Sequence, residues 1–276
     1  MRTFVAVLAG LVTLLVAVAT VPLLWLSAHV DDEDGYVAFS SELAADTQLQ
    51  SAFADVLAAD LVARGLLPQR LEETAVAAMG VAAGQVTSTP GFTEAWEQTQ
   101  RSLHHSALHD DSGPITLDLS PSAELVAQAV GDRLPVSLQV PSGLTVPVAA
   151  ESDRDRLVWV GRSTTLGLLG LVAVIVAAST TLLASRSRWI GLAGLGVVAL
   201  ATAGILRVLT EAVVPAAIDR AEGSTEFARI LQKLLLDRAA SSLSGWLGWI
   251  ALGGAIALVV GVAGRLVGGR ATPRTS

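Results

Sequence analysis

"FVAVLAGLVTLLVAVATVPLLWL", residues 4–26, runs for 23 positions without one charged side chain. At about 1.5 Å per residue, a helix of that length covers the roughly 30 Å of hydrocarbon in a bilayer. Three further stretches of the same kind follow: Ser163 to Ala184, Trp189 to Leu206 and Leu243 to Gly264. The chain has 276 residues, of which 52% are hydrophobic and only 16% charged, too apolar for an ordinary soluble domain. The expected fold is therefore a mostly α membrane protein with four transmembrane helices. Trp25, Trp159, Trp189, Trp246 and Trp249 lie at or near the ends of these stretches, where an amphipathic indole prefers the headgroup region.

The basic residues predict the orientation, because Lys and Arg beside a span are retained in the cytoplasm. Arg2 precedes the first span, Arg186 and Arg188 fill the short connection between the second and third, and Arg265, Arg270 and Arg274 mark the tail. Both termini then read as cytoplasmic, and the intervening segments as extracytoplasmic. Ser27 to Arg156 carries 20 acidic against 6 basic residues, whereas Arg207 to Ser242 carries five of each sign. The expected order is helix 1 (1–26), an acidic extracytoplasmic domain (27–156), helix 2 (157–185), helix 3 (186–206), an amphipathic external segment (207–242), helix 4 (243–264) and a cytoplasmic tail (265–276). A cleaved signal peptide ending near Leu26-Ser27-Ala28 is the competing reading of the N-terminus. The apolar run exceeds the roughly 7 to 15 residues of a signal core, which favours a retained anchor.

The acidic domain is mostly helical in pattern. Asp46 is placed to cap a helix whose Leu49, Phe53, Val56, Leu57 and Leu61 share a face, with Gly65 and Pro68 ending it. Leu71, Ala75, Ala78, Met79 and Ala82 form a second stripe. Thr89 and Pro90 open a third helix, which turns Phe92, Trp96 and Leu103 inward. After Gly113-Pro114 the period changes, and Ile115, Leu117 and Leu119 alternate with polar residues as in a half-buried strand. A helix from about Pro121 to Arg133 follows, and then Ser137 to Val148 suits an extended hairpin around Pro141-Ser142-Gly143. The domain is thus expected to be helical with a small β element. Asp31-Asp32-Glu33-Asp34-Gly35 reads as a solvated acidic link, since the ligand spacing of a calcium loop is missing. In the second external segment Pro215 is expected to break the helix. Phe227, Ile230, Leu231, Leu234 and Leu235 then recur at helical spacing, suited to docking on the domain in preference to the membrane surface.

Residues 103–111, "LHHSALHDD", hold three of the four histidines. On a helix at about 100° per residue, His105 and His109 face away from Trp96, and His104 lies off that face. His105 and His109 would hold a metal as an i, i+4 pair only if Asp110 or Asp111 folded back to join them. There is no H-E-x-x-H pattern, so a solvated polar helix end is the favoured reading. His104, beside Trp96, reads as a structural histidine with one hydrogen bond at the core edge.

Phe92-x-x-x-Trp96, followed by Arg101, His104 and the run "ITLDLSP" from Ile115 to Pro121, resembles an uncharacterised family of integral membrane proteins of high-GC Gram-positive bacteria. The resemblance implies an anchored helical external domain followed by a membrane bundle, and it brings no activity with it. Within it His104 matches the usual position, whereas His105 and His109 are particular to this chain.

With no cysteine, the chain has neither disulfides nor thiolate chemistry. Its sole lysine, Lys233, is not in a phosphate-binding loop, and no G-x-S-x-G occurs. Asp, Glu, Lys and His are absent from the span centres, where ion coupling normally places them. Small residues recur every four positions (Ala9, Thr13, Ala17; Ala173, Ala177, Thr181; Gly253, Ala257, Gly261), as helices that pack closely in lipid require. No catalytic residue and no cofactor is expected, and an acidic external domain argues against nucleic acid. The expected partners are the lipid bilayer, an envelope protein or ligand at the external domain, and a second copy of the chain. The function that follows is a non-enzymatic binding or scaffold component of the cell envelope. The alternative is a small channel or transporter acting as an oligomer.

Overall fold

The computed structural model describes residues 2–65, 90–110, 112–131, 143–157, 159–219 and 225–268, with positions 77, 81 and 85. In chain order these form α1 (Arg2–Leu26), α2 (Glu33–Ser40), α3 (Thr47–Ala63), α4 (Pro90–Leu108), β1 (Ile115–Asp118), α5 (Ser120–Gly131), β2 (Thr145–Ala149), α6 (Arg154–Leu157), α7 (Ser163–Ala184), α8 (Arg188–Asp219) and α9 (Glu226–Gly268). The stripe Leu71, Ala75, Ala78, Met79 and Ala82 lies outside the described residues. So do Asp111, Arg270, Arg274 and the first half of the expected hairpin.

The chain divides into two compact units, one of residues 1–27, 162–216 and 238–276, the other of residues 28–161 and 217–237. The first holds the long apolar helices. Among the described residues, four helices are long and apolar enough to cross a membrane: Phe4–Asp31, Ser163–Ala184, Arg188–Asp219 and Glu226–Val267. Their outer faces are apolar, with Leu169, Val172, Val176 and Val259 each more than half exposed.

Small residues let these helices approach. A Cβ on Gly196 would stand 2.6 Å from the carbonyl oxygen of Gly254 and 2.6 Å from the nitrogen of Leu258, so α8 and α9 touch backbone to backbone there. On the other seam, Gly167 of α7 meets Leu24 of α1, and Ser27 shares a hydrogen bond with Thr164 at 2.6 Å. The expected ridge on α9 holds at Gly261 and fails at Gly253, whose neighbour Gly254 takes the packed position. Gly254 and Gly261 are buried, whereas Gly253 is exposed with nothing near its missing Cβ. On α7, likewise, Ala173 is exposed and only Thr181 of its expected ridge is buried.

Two helix ends differ from expectation. Pro215 does not break α8, which continues to Asp219. Proline's fixed φ suits a helix and it forfeits a single backbone hydrogen bond, a loss that apolar helices tolerate. The amphipathic segment and the fourth span are one 43-residue helix, α9.

The second unit is helical around a two-stranded antiparallel sheet. β1 pairs with β2 in the register Thr116↔Pro147, Leu117↔Val146 and Asp118↔Thr145, with an irregularity between Ile115 and Thr116. Among the described residues β2 pairs with β1. Alternation directs Ile115, Leu117, Val146 and Val148 into a core with Phe53, Leu57, Leu61, Phe92, Trp96 and Leu103. Phe227, Ala228 and Leu231 of α9 are buried in the same core, and Gln232 Nε2 donates to the Val148 carbonyl at 2.7 Å. The amphipathic segment therefore docks on the domain.

The acidic link is more structured than expected. Asp32 caps α2, its carboxylate accepting from the Gly35 nitrogen at 2.8 Å, and Glu33 and Asp34 occupy the first turn, where the helix dipole favours negative charge. Asp46 caps α3 as expected, accepting from Gln48 and Leu49.

Candidate functional site

Helix α4 carries both groups of residues singled out in the sequence, and its two faces separate them. On the inner face Phe92 stacks on Trp96 with ring centroids 6.4 Å apart, and Trp96 Nε1 donates to the Ser40 carbonyl at 3.2 Å. His104, two turns further on, is only 3% exposed. Arg101, between them at the surface, donates to Glu33 at 3.0 Å and Asp34 at 3.1 Å, and those two bonds raise its pKa. Trp96 and His104 thus bind α4 to α2 and to the residues just before it, with Phe92 stacked on Trp96.

His104 Nε2 lies 3.0 Å from the Val30 carbonyl oxygen and 3.2 Å from that of Asp31. Two carbonyls only accept, so Nε2 carries the hydrogen, and in the neutral tautomer that this selects the lone pair is on Nδ1. That Nδ1 is buried without a hydrogen-bond partner among the described residues. Beside it stands Tyr36, its ring centroid 5.5 Å from that of His104 and its hydroxyl donating to Gln100 Oε1 at 3.2 Å. Burial pushes the Tyr36 phenol well above its ordinary pKa, because the phenolate would lose its hydration. Gln100 Nε2 is likewise buried without a partner among the described residues.

His104 and Tyr36 form part of the wall of a cleft of about 210 Å³, whose other walls include Leu103, Val148, Leu157 and Leu231. An apolar cleft with one or two polar groups at its wall has the composition of a small-molecule site. A wider groove of about 530 Å³ runs between α3 and α9 past Gln48, Asp55, Arg229 and Lys233, and there Arg229 pairs with Glu226.

His105 and His109 are on the surface. His105 and His109 stack with centroids 5.3 Å apart, and His105 Nδ1 lies 3.6 Å from Asp110 Oδ1, with both side chains well exposed. Among the described residues, no three His, Asp or Glu side chains converge as metal ligands.

Sequence reasoning missed Tyr36, Gln100 and the α9 contribution to the cleft. Tyr36 had a signal, being the only tyrosine in the chain and following a capped acidic turn. No family model, curated protein or solved structure matches this chain.

Proposed function

We propose that this chain is a four-pass plasma-membrane protein with both termini in the cytoplasm, whose acidic domain works outside the cell as a non-enzymatic binding component of the envelope. Four membrane-length helices with apolar outer faces support the membrane placement, and the arginines at one set of helix ends support the orientation. The observation that carries the binding role is the apolar cleft lined in part by His104, a histidine whose buried Nδ1 has no hydrogen-bond partner among the described residues. A buried acceptor without a donor costs about 1 to 3 kcal/mol, so an occupant that brings an O–H or N–H recovers that loss. At about 210 Å³ the cleft is somewhat larger than the ~150 Å³ apolar cavity that takes up benzene, which sets the scale of the group it accepts.

Because the chain has no cysteine, single cysteines at the exposed Ala59 and Glu124 test the orientation directly. Both react with a membrane-impermeant maleimide on intact cells if the reading holds; protection at both, relieved by lysis, refutes it. For the cleft, phenol is expected to shift the His104 imidazole nitrogen resonances of the full-length protein, and toluene of similar shape to leave them in place. Equal responses to the two, or none, remove the hydrogen-bonding role.

A further inference from the structure

The bundle contains a concavity of its own, of about 780 Å³, formed by α1, the end of α7, the first half of α8 and one residue of α9. Its long walls are apolar, with Leu11 and Leu14 on α1 and Ile190 and Val198 on α8. Gly10 and Gly194 also line it, and nothing stands within 4 Å of where their side chains would begin, so no part of the protein occupies the floor at those points. From Ile190 to Val198, as from Ala6 to Leu14, is eight residues, about 12 Å of helix. One leaflet of hydrocarbon is about 15 Å deep, half of the roughly 30 Å core.

Arg186 and Arg265 stand at one end of this groove. They belong to the same level of the bundle, since Gly264 packs against the ring of Trp189. Both arginines are exposed, and neither has an ion-pair partner among the described residues. An apolar trough one leaflet deep that ends in two unneutralised guanidinium groups matches a molecule with a hydrocarbon chain and an anionic head. Guanidinium also meets a phosphate with two parallel hydrogen bonds, which an ammonium does not.

We propose that this groove is a binding site for an anionic glycerophospholipid, its phosphate held by Arg186 and Arg265 and an acyl chain lying along Gly10 and Gly194. The inference rests on the membrane placement proposed above, but on neither the orientation nor the His104 cleft. Basic pockets between membrane helices recognise lipid heads by this charge pairing. The hydroxyls of Thr181 and Ser185, each already donating to its own helix, cannot donate to the phosphate and remain available only as acceptors for a hydroxyl of the head group.

The test uses the full-length protein in mixed micelles with equal amounts of phosphatidylglycerol and phosphatidylcholine, read by native mass spectrometry. Wild type is expected to retain phosphatidylglycerol preferentially, and the double variant Arg186→Gln/Arg265→Gln to lose that preference by roughly tenfold. Arg162→Gln/Arg207→Gln, before the first turn of α7 and in the second half of α8, away from the groove, keeps it. Gly194→Leu, which fills the trough, lowers retention of phosphatidylglycerol with both arginines present; a melting curve in detergent confirms that each variant is folded. Equal retention of the two lipids by wild type, or an unchanged preference in the folded double variant, overturns the proposal. Displacement of the lipid by inorganic phosphate at equal concentration also overturns it, because the arginines would then serve a soluble anion. Release of the chain from vesicles by alkaline carbonate refutes the membrane placement itself, an outcome separate from loss of lipid preference in a chain that stays embedded.

Discussion

Arg154 Nη1 donates to the carbonyl oxygen of Ser106 at 2.6 Å, although the two residues are 48 positions apart. The same guanidinium reaches Asp110 at 2.9 Å, Gly113 through Nε at 2.7 Å and Pro114 at 3.3 Å. Ser106 and Asp110 lie at the end of α4, where a helix leaves carbonyls without partners. One side chain therefore closes the helix and ties the turn before β1 to it. Arg154→Ala is expected to lower stability by about 1 to 2 kcal/mol, limited by partial solvent access. Arg154→Lys should recover less than half, because an ammonium cannot reproduce the planar fork. Thermal unfolding of the full chain, followed by tryptophan fluorescence, measures both.

Tyr36 is the only tyrosine, so tyrosinate absorbance reports it alone. Burial raises its folded pKa above the ordinary 10.0, while the unfolded chain ionises near that value. The associated stability is complete below pH 10 and declines as pH rises further, because the unfolded state releases its proton first. The native protein should show no tyrosinate signal until it unfolds. Tyr36→Phe should remove this part of the alkaline decline while costing about 1 kcal/mol at neutral pH through loss of the Gln100 hydrogen bond. A native-state titration near pH 10 would contradict the burial.

Phe227, at the start of α9, is 1% exposed within the domain core. Phe227→Ala should cost about 3 to 5 kcal/mol, whereas Lys233→Ala on the exposed side of the same helix should stay within about 0.5 kcal/mol. Equal effects would remove α9 from the core.

Gly253 and Gly254 are neighbours with opposite environments. A Cβ on Gly254 would lie 2.9 Å from that of Ala199 and 3.0 Å from the Gly196 carbonyl oxygen, whereas Gly253 faces open space. Gly254→Leu should lower stability in detergent by about 1 to 3 kcal/mol or more through overpacking. Gly253→Leu should leave the melting temperature nearly unchanged.

These two glycines also mark how far sequence pattern reaches. Spacing by four identifies a ridge of small residues, but which of two adjacent glycines meets the neighbouring helix is a property of the packed pair: Gly261 is buried as the spacing predicts, whereas Gly254 packs in place of Gly253. The apolar helices were legible because their composition depends on no partner, and β1 because Ile115, Leu117 and Leu119 alternate locally. Helix α2 was read as an acidic link, although Asp32 followed by Glu33 and Asp34 is itself a helix-start signal; charge density obscured the apolar face of Tyr36, Val37 and Phe39 behind it. Phe92, Trp96 and His104 were recognised as one structural group, and all three are buried on α4. The cleft was not legible, because Val148, Leu157 and Leu231 meet His104 only after β2 and α9 have docked.

Lys233 lines the groove between α3 and α9 and is the only lysine in the chain. Amine-directed reagents consequently have a single side-chain target, so a fluorophore or an affinity handle can be attached beside Gln48 and Asp55, at the one reactive amine other than a chain terminus, with no engineered change to the polypeptide.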